Sequence, residues 1–374
     1  MQISYLKDLV TLRNPTSPFT FLAYLHDKER LVDFINYGSA FPTRLEFHDY
    51  LEWAAERFAG VVEYGAEVTE VVPVEGDGTV GLAEVVGFHG DSGPVRIRAR
   101  NVVLATGLTP NVPRGVTLGP RVWRNRDLLH RAPQLRTAAR CAVIGAGQSA
   151  AETVDYLHRT YPDAEVHAVF ARYGYSPADD SSFANRIFDP AVDDFYAAPD
   201  PVKKMITGYH ANTNYSVVDP DLITELYRRH YHERVAGRER LRFHNVSRVA
   251  DVVDVGDRVE LAVESLIDAA RDVLTADVVV YATGYRPTDP LWLLDPACTR
   301  DDAGRPEVRR DYRLSTGATP QGRPVEVGLF VQGATEHTHG ITSTLLSTVA
   351  VRAGEIAAAL AGTTAPAPTR VLTA

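Results

Sequence analysis

The sequence predicts an α/β fold: paired Rossmann-like dinucleotide-binding domains with a small, mainly helical insertion covering a site. Two observations predict it. The first is a Gly145-x-Gly147-x-x-Ala150 turn set between a short apolar strand, 141–144, and a helical pattern through Val154, Leu157 and His158. In that setting the glycines permit a tight turn and close approach of a pyrophosphate. The helix start adds free N–H groups at the positive end of its dipole. The second is a near-repeat. Residues 101–110 read Asn-Val-Val-Leu-Ala-Thr-Gly-Leu-Thr-Pro and residues 277–287 read Asp-Val-Val-Val-Tyr-Ala-Thr-Gly-Tyr-Arg-Pro. Each is the continuous apolar run of a parallel strand buried on both faces, ending at a glycine that allows a sharp turn.

The elements follow in chain order. Residues 48–59 read as an amphipathic helix with Leu51, Ala54, Ala55 and Phe58 on its apolar face. Residues 61–72 and 82–100 carry alternating or β-branched strand patterns, and 101–110 is the first apolar strand end. After the glycine turn and its helix, Glu165–Phe170 forms a second strand of a βαβ unit. An acidic residue at the end of that strand bonds the ribose of NAD. This chain has Ala171-Arg172 there, and a guanidinium suits the extra phosphate of NADP. The competing reading of Arg172 is a solvated arginine at a strand end. Residues 189–240 look helical and polar, opening at Asp189-Pro190 as N-cap and N1, and are longer than a βαβ crossover needs. The second Ala-Thr-Gly strand end follows, then a strand at 328–332. The Pro- and Thr-rich run after Gly362 is expected to fray. The domains are placed at 1–135 with 282–374, and at 136–281 with the insertion at about 189–240.

Composition excludes several classes. The 374 residues are 45% apolar and 23% charged, which suits a folded chain of about two or three domains. Acidic residues outnumber basic ones 48 to 39, for a net charge of −9, which argues against a nucleic-acid binder. Cys141 and Cys298 support neither a disulfide framework nor a cysteine metal site, and so few cysteines fit a reducing cytoplasm. No apolar run is long enough for a transmembrane helix, and the opening MQISYLKDLV is not a secretory signal. His337-Thr-His339 is the one metal-like pair, and two histidines do not define a site, so no metal is expected.

Read together, five separated segments resemble the siderophore-associated amino-acid N-monooxygenases, the L-ornithine N5- and L-lysine N6-hydroxylases. They are Met1–Pro15 (MQISYLKDLVTLRNP), Gly145–Glu152 (GAGQSAAE), Pro177–Phe188 (PADDSSFANRIF), Asn212–Val218 (NTNYSVV) and Glu336–Ser347 (EHTHGITSTLLS). The resemblance covers nearly the whole chain. It implies FAD and NADPH domains and O2 as co-substrate, with one oxygen atom passing to the side-chain amine and the other leaving as water. It also implies a small amino-acid partner and a homotetramer. The family opens with a strand, a Gly-x-Gly-type loop and a helix for the FAD pyrophosphate, whereas the only Gly-x-Gly-x-x-Ala turn here is the NADPH-type one at Gly145. The FAD domain is therefore expected to be N-terminally incomplete.

The resemblance also assigns residues. Lys7 would clamp the substrate carboxylate, against the alternative of a surface lysine beside Asp8. Asn185 would bind substrate. Asn214 would reach both the reacting end of the substrate and the nicotinamide ribose, since an amide offers donors and an acceptor at once. A turn or cap role is the alternative for both asparagines. Ser343 would meet the substrate's polar end. Gln2, Gly333, His339, Gly340 and Ile341 would border the flavin. Gly145, Gly147, Gln148, Ser149 and Arg172 would hold NADPH, with Ser149 alternatively a helix-start residue. Ornithine is the expected substrate, from the Leu12–Phe19 and Asn212–Val218 segments. Lysine is the near rival, because one methylene is worth only ~1–3 kcal/mol. Other readings are a different flavin monooxygenase or a non-catalytic NADPH-binding remnant.

Overall fold

The apolar runs at 141–144, 165–170 and 278–281 join one five-stranded parallel sheet, in the order Val122–Arg124, Val278–Tyr281, Arg140–Ile144, Glu165–Val169, Leu241–His244. The run at 101–104 lies outside it, and its Asn101 and Val103 are exposed rather than buried on both faces. Alternation within each strand divides its side chains between two cores. Cys141, Val143, Val278 and Val280 pack against Ala151, Val154 and Leu157 of the Gln148–Thr160 helix and Leu226 of the Pro220–Val235 helix. Ala142, Ile144, Val279 and Tyr281 pack instead against Val259, Leu261 and Leu274 of an antiparallel meander, Ser247–Asp254, Val259–Ser265 and Arg271–Ala276. The central strands 141–144 and 278–281 are buried on both faces, which is why they read as unbroken apolar runs.

In the computed structural model, residues 3–74, 80–90, 93–135, 139–188, 192–294 and 298–362 are described. The chain divides into two units. One comprises Met1–Gly107, Arg186–Thr207 and Pro287–Ala374, and the other Leu108–Asn185 and Gly208–Arg286. These bounds differ from the expected division at 135/136 and 281/282. Residues 108–135 go with the parallel sheet because Val122–Arg124 pairs with Val278–Tyr281. The chain enters this unit after Gly107 and leaves it after Arg286, next to the two Ala-Thr-Gly turns, where Gly107 and Gly284 have φ of +69° and +79°; in between, Arg186–Thr207 belongs to the first unit. The expected 189–240 insertion is also not one piece. Val192–Ala197 belongs to the first unit, while Pro220–Val235 is the crossover between parallel strands Glu165–Val169 and Leu241–His244. Asp219 caps that crossover by accepting from the Asp221 and Leu222 amides, with Pro220 at the first position. The expected Asp189-Pro190 cap and the run after Gly362 lie outside the described residues.

The first unit begins with three helices, Phe21–Asp27, Leu31–Tyr37 and Arg44–Glu56, around Phe21, Tyr24, Phe47, Tyr50 and Trp53. The third was expected over 48–59 with Leu51, Ala54, Ala55 and Phe58 inward. It starts four residues earlier, where Thr43 caps it by accepting from the Glu46 amide, and it buries Phe47, Tyr50, Trp53 and Ala54. Large aromatic rings outweigh the aliphatic stripe because they bury more area. Phe58 falls beyond the helix end and stacks on Phe19. An antiparallel sheet follows, Ala66–Pro73, Ala83–His89 and Gly93–Ala99. Strand Asn101–Leu104 pairs in parallel with Gly328–Val331.

Candidate functional site

In the second unit the glycine turn has the shape a dinucleotide needs. Gly145 has φ +140°, and a Cβ there would overlap the carbonyl oxygen of Ala282. Only glycine fits on both counts. The same imagined Cβ lies 3.3 Å from Cβ of Ala150, so the motif's third position must also be small. Gly147 caps the Gln148–Thr160 helix with extended backbone, and its open side faces Ser216, whose Cα is 3.4 Å from where a Cβ would stand.

Three of the predicted NADPH residues, Gly147, Gln148 and Arg172, meet the loop 211–219. Gln148 accepts from the Asp219 amide at 2.8 Å and donates to Glu152 at 2.9 Å, so it braces the loop against the helix. Ser149 is half-buried in the first helical turn, and its carbonyl accepts from the Thr153 hydroxyl. Arg172 Nη1 donates to the Ser216 carbonyl at 2.8 Å and to Ser176 Oγ at 3.1 Å. Its Nε and Nη2 donors have no protein partner among the described residues, and no carboxylate pairs with it there. The loop it holds contains Asn214, which follows the short turn Ala211–Thr213 and whose carboxamide has no partner among the described residues. Ser216 stands at φ +55°, a conformation non-glycine residues seldom adopt. Motif reading missed Ser216, because both of its roles are backbone ones.

Asn185 uses its side chain locally. Its Nδ2 donates to the Asp180 carbonyl at 2.8 Å and its backbone amide to Ser181 at 2.9 Å, which closes a turn and leaves Oδ1 uncommitted. Asn212 serves through its carbonyl, which accepts from the Asp179 amide.

In the first unit Lys7 is half-buried, with its ammonium 4.8 Å from the centre of the Phe188 ring and no anionic partner among the described residues. Asp8 is not its partner. The Asp8 carboxylate is 1% exposed and accepts from the amides of Val10, Thr11 and Phe21 and from the Thr11 hydroxyl. Gln2 lies outside the described residues.

After strand Gly328–Val331 the backbone turns through Gly333 at φ +98° and Ala334 at φ +57°. A Cβ on Gly333 would lie 3.9 Å from the Ser343 carbonyl. Three buried oxygens here have no partner among the described residues: Gln332 Oε1, Thr335 Oγ1 and Ser343 Oγ. Buried polar atoms are normally satisfied, so a cluster of orphans marks a place shaped for a polar ligand. Gly340 takes φ +83° with the Phe195 ring against it, and Ile341 is buried. His339 is structural. Its Nε2 donates to the Arg310 carbonyl at 3.1 Å and its ring stacks on Tyr312 at 4.2 Å. Burial pushes its imidazole pKa down to about 4, so it is neutral at pH 7. His337 donates through Nε2 to the Pro306 carbonyl, and burial lowers its pKa too. Both rings are thus spent on backbone, and the described residues hold no group of three metal-ligating side chains.

The two cofactors fit unequally. The second unit has a complete pyrophosphate turn, a helix start and a cation for a nucleotide. The first has orphaned hydroxyls and left-handed turns that suit a polar ring system, and the sequence repeats the Gly-x-Gly-x-x-Ala pattern of Gly145 nowhere else. No helix among the described residues is long and apolar enough to cross a membrane.

Residues 1–287 match the family model for L-lysine 6-monooxygenase/L-ornithine 5-monooxygenase. The chain is 37% identical over 369 residues to the L-ornithine N(5)-monooxygenase of Pseudomonas aeruginosa, covering 96% of this chain and 82% of that one. Against the ornithine N-hydroxylase of Kutzneria sp. 744, solved with reduced FAD, NADP+ and L-ornithine, the identity is 44% and the TM-score 0.91. That match covers 97% of this chain and 87% of the other. The L-lysine 6-monooxygenase of Pseudomonas syringae is 32% identical with a TM-score of 0.82, covering 96% and 85%. The chain therefore belongs to the L-lysine 6-monooxygenase/L-ornithine 5-monooxygenase family, the FAD- and NADPH-dependent N-hydroxylating monooxygenases.

Proposed function

We propose that this chain hydroxylates the side-chain amine of L-ornithine. L-ornithine, NADPH, a proton and O2 give N5-hydroxyornithine, NADP+ and water, and the product is a building block for hydroxamate siderophores. The observation that carries the choice of substrate is the greater likeness to ornithine hydroxylases than to a lysine 6-monooxygenase. Bound FAD, reduced by NADPH, supplies the activation of O2.

This chain's own residues bind and orient. The Lys7 ammonium, without an internal anion, pairs with the substrate α-carboxylate. Asn185 Oδ1 and the Asn214 carboxamide receive polar atoms of substrate or nicotinamide ribose, and Ser343 Oγ takes a hydrogen bond that the protein alone does not provide. Gly145 and Gly147 admit the NADPH pyrophosphate, with Gln148 and Ser149 at the helix start. The free Arg172 donors meet its 2′-phosphate. Gly333, Gly340 and Ile341 shape the flavin side, with His339 holding the turn from behind. The amine must react unprotonated, and its pKa in water is ~10.4, so a dry, weakly polar surround must favour proton loss.

The test is hydroxylated product per NADPH consumed, with FAD supplied and L-ornithine or L-lysine offered separately. Product from ornithine and little from lysine is expected. Equal or better product from lysine overturns the ornithine reading and installs lysine, which the family model also covers.

A further inference from the structure

We infer that Arg352 is a positioning residue for the amino-acid site, holding the segment 342–348 in shape from behind. The inference rests on the proposed placement of Ser343 and Lys7 at the substrate. Arg352 belongs to the Val349–Leu360 helix and is 6% exposed. Its Nη1 donates to the Thr342 carbonyl at 2.7 Å and to Thr348 Oγ1 at 2.6 Å, and its Nη2 to the Leu345 carbonyl at 3.0 Å. Thr348 Oγ1 itself donates to the Thr342 carbonyl at 3.0 Å. The guanidinium forms no ion pair among the described residues. Glu355, three residues on, is bound to Arg310 instead, and the buried Nε of Arg352 has no acceptor.

A buried cation with no direct ion pair is expensive, and an apolar side chain of similar length would pack more cheaply. What the guanidinium supplies is a rigid fork of donors for carbonyls that a short irregular segment cannot bond to itself. The segment consists of two short 3-10 turns, Ile341–Thr344 and Leu346–Thr348. It carries Ser343, 1% exposed with an orphaned hydroxyl. Its Leu346 packs against the helical cluster that includes Tyr5 and Leu9, which flank Lys7 in sequence. The same helix also receives Arg13, whose side chain crosses it at Gly354 so closely that a Cβ there would stand 2.5 Å from Arg13 Nε. One helix thus braces the Ser343 segment through Arg352 and the Lys7 segment through Gly354.

The test compares Arg352→Met and Arg352→Lys with the parent protein in two measurements. Hydrogen exchange of amides 340–349, read without substrate, is expected to rise in both variants while the Val278–Tyr281 strand stays protected. With FAD supplied, KM for the amino acid is expected to rise roughly tenfold or more, since small misplacements at a reacting centre are costly. Product per NADPH is expected to fall, and KM for NADPH to stay within about twofold. Unchanged exchange at 340–349 overturns the inference. So does a parallel rise in both KM values, which marks general loosening, or full recovery in Arg352→Lys, which assigns the effect to charge. Should Arg352→Met not fold, Thr348→Val removes one acceptor and is read by the same two measurements. Absence of amino-acid turnover in the parent protein defeats the proposed function, and the exchange result then judges the positioning role separately.

Discussion

The Lys7 ammonium faces the Phe188 ring at 4.8 Å, while its sequence neighbour Asp8 turns away to hold four hydrogen bonds among the first loops and helix. The two charges therefore have separate tasks. Lys7→Ala removes a cation whose only described partner is an aromatic face, so the fold should lose little. A charge-assisted hydrogen bond to a ligand is worth about 1.5–3 kcal/mol, which is roughly 10- to 150-fold in KM for the amino acid. Steady-state kinetics with the amino acid and NADPH varied separately check this, and an unchanged amino-acid KM refutes the clamp. Asp8→Asn should do the opposite, lowering the melting temperature because three amides and a hydroxyl lose a charged acceptor.

Arg172 ties the end of strand Glu165–Val169 to the Ser216 carbonyl and keeps donors in reserve. Arg172→Ala is expected to lower the preference for NADPH over NADH by roughly 10- to 100-fold, the value of one or two charge-assisted bonds to phosphate. Because it also frees the Asn214 loop, a smaller rise in amino-acid KM should accompany it. Gly145→Ala tests the turn itself. The added Cβ meets the Ala282 carbonyl in a backbone conformation strained for alanine, so NADP+ binding measured directly on the protein should be lost. Retained binding would show that the turn is not the nucleotide seat.

Two stacked histidines should make the parallel sheet acid-sensitive. His167 Nδ1 and His244 Nε2 lie 2.9 Å apart, and Glu165 stands 3.3 Å from His167 Nε2. Burial pushes the His167 pKa down to about 4 against an ordinary 6.5 and lowers that of His244; Glu165 and Asp272 oppose these shifts, and Arg140 and Arg242 reinforce them. The unfolded chain therefore binds more protons than the native one below pH 6.5. Stability is full above that value and is lost as pH falls from about 6.5 toward 4. Melting temperatures across this window should decline, and His167→Gln, which keeps a hydrogen-bonding side chain without titrating, should flatten the decline. An equal slope in the variant would place the acid sensitivity elsewhere, His339 in the first unit being the next group to test.

Sequence reading located what depends on backbone space and on continuous burial. Gly145 was legible because only glycine fits a left-handed turn beside a carbonyl, and the strands at 141 and 278 because double-sided burial leaves no polar residue in them. Packing partners were less legible. The block 189–240 looked like one insertion because helical periodicity does not say what a helix lies on, and the Pro220–Val235 helix lies on the sheet. Ser216 and Arg352 left no signal at all. One acts through its carbonyl and Cα, and the other binds carbonyls that any residue possesses. Lys7 has no local pattern to distinguish it from a surface lysine, and its assignment came from resemblance over the surrounding segment.

Ser343 offers the sharpest separation of ligand binding from stability. Its hydroxyl is 1% exposed and unpartnered, so in the unliganded protein it carries a desolvation cost of about 1–3 kcal/mol with nothing in return. Ser343→Ala removes that cost with almost no change in volume, and the unliganded variant should melt a few degrees higher, for a stabilisation of about 1 kcal/mol. If the hydroxyl exists for a ligand, the same substitution weakens the liganded state. The melting-point increase that substrate or flavin gives the parent protein should then shrink in the variant, and amino-acid KM should rise roughly tenfold for one lost hydrogen bond. A variant more stable in both states, with unchanged KM, would make Ser343 a packing residue. A variant less stable when unliganded would mean that the hydroxyl already has a partner, such as a buried water. Only the crossing of the two curves assigns Ser343 to the site.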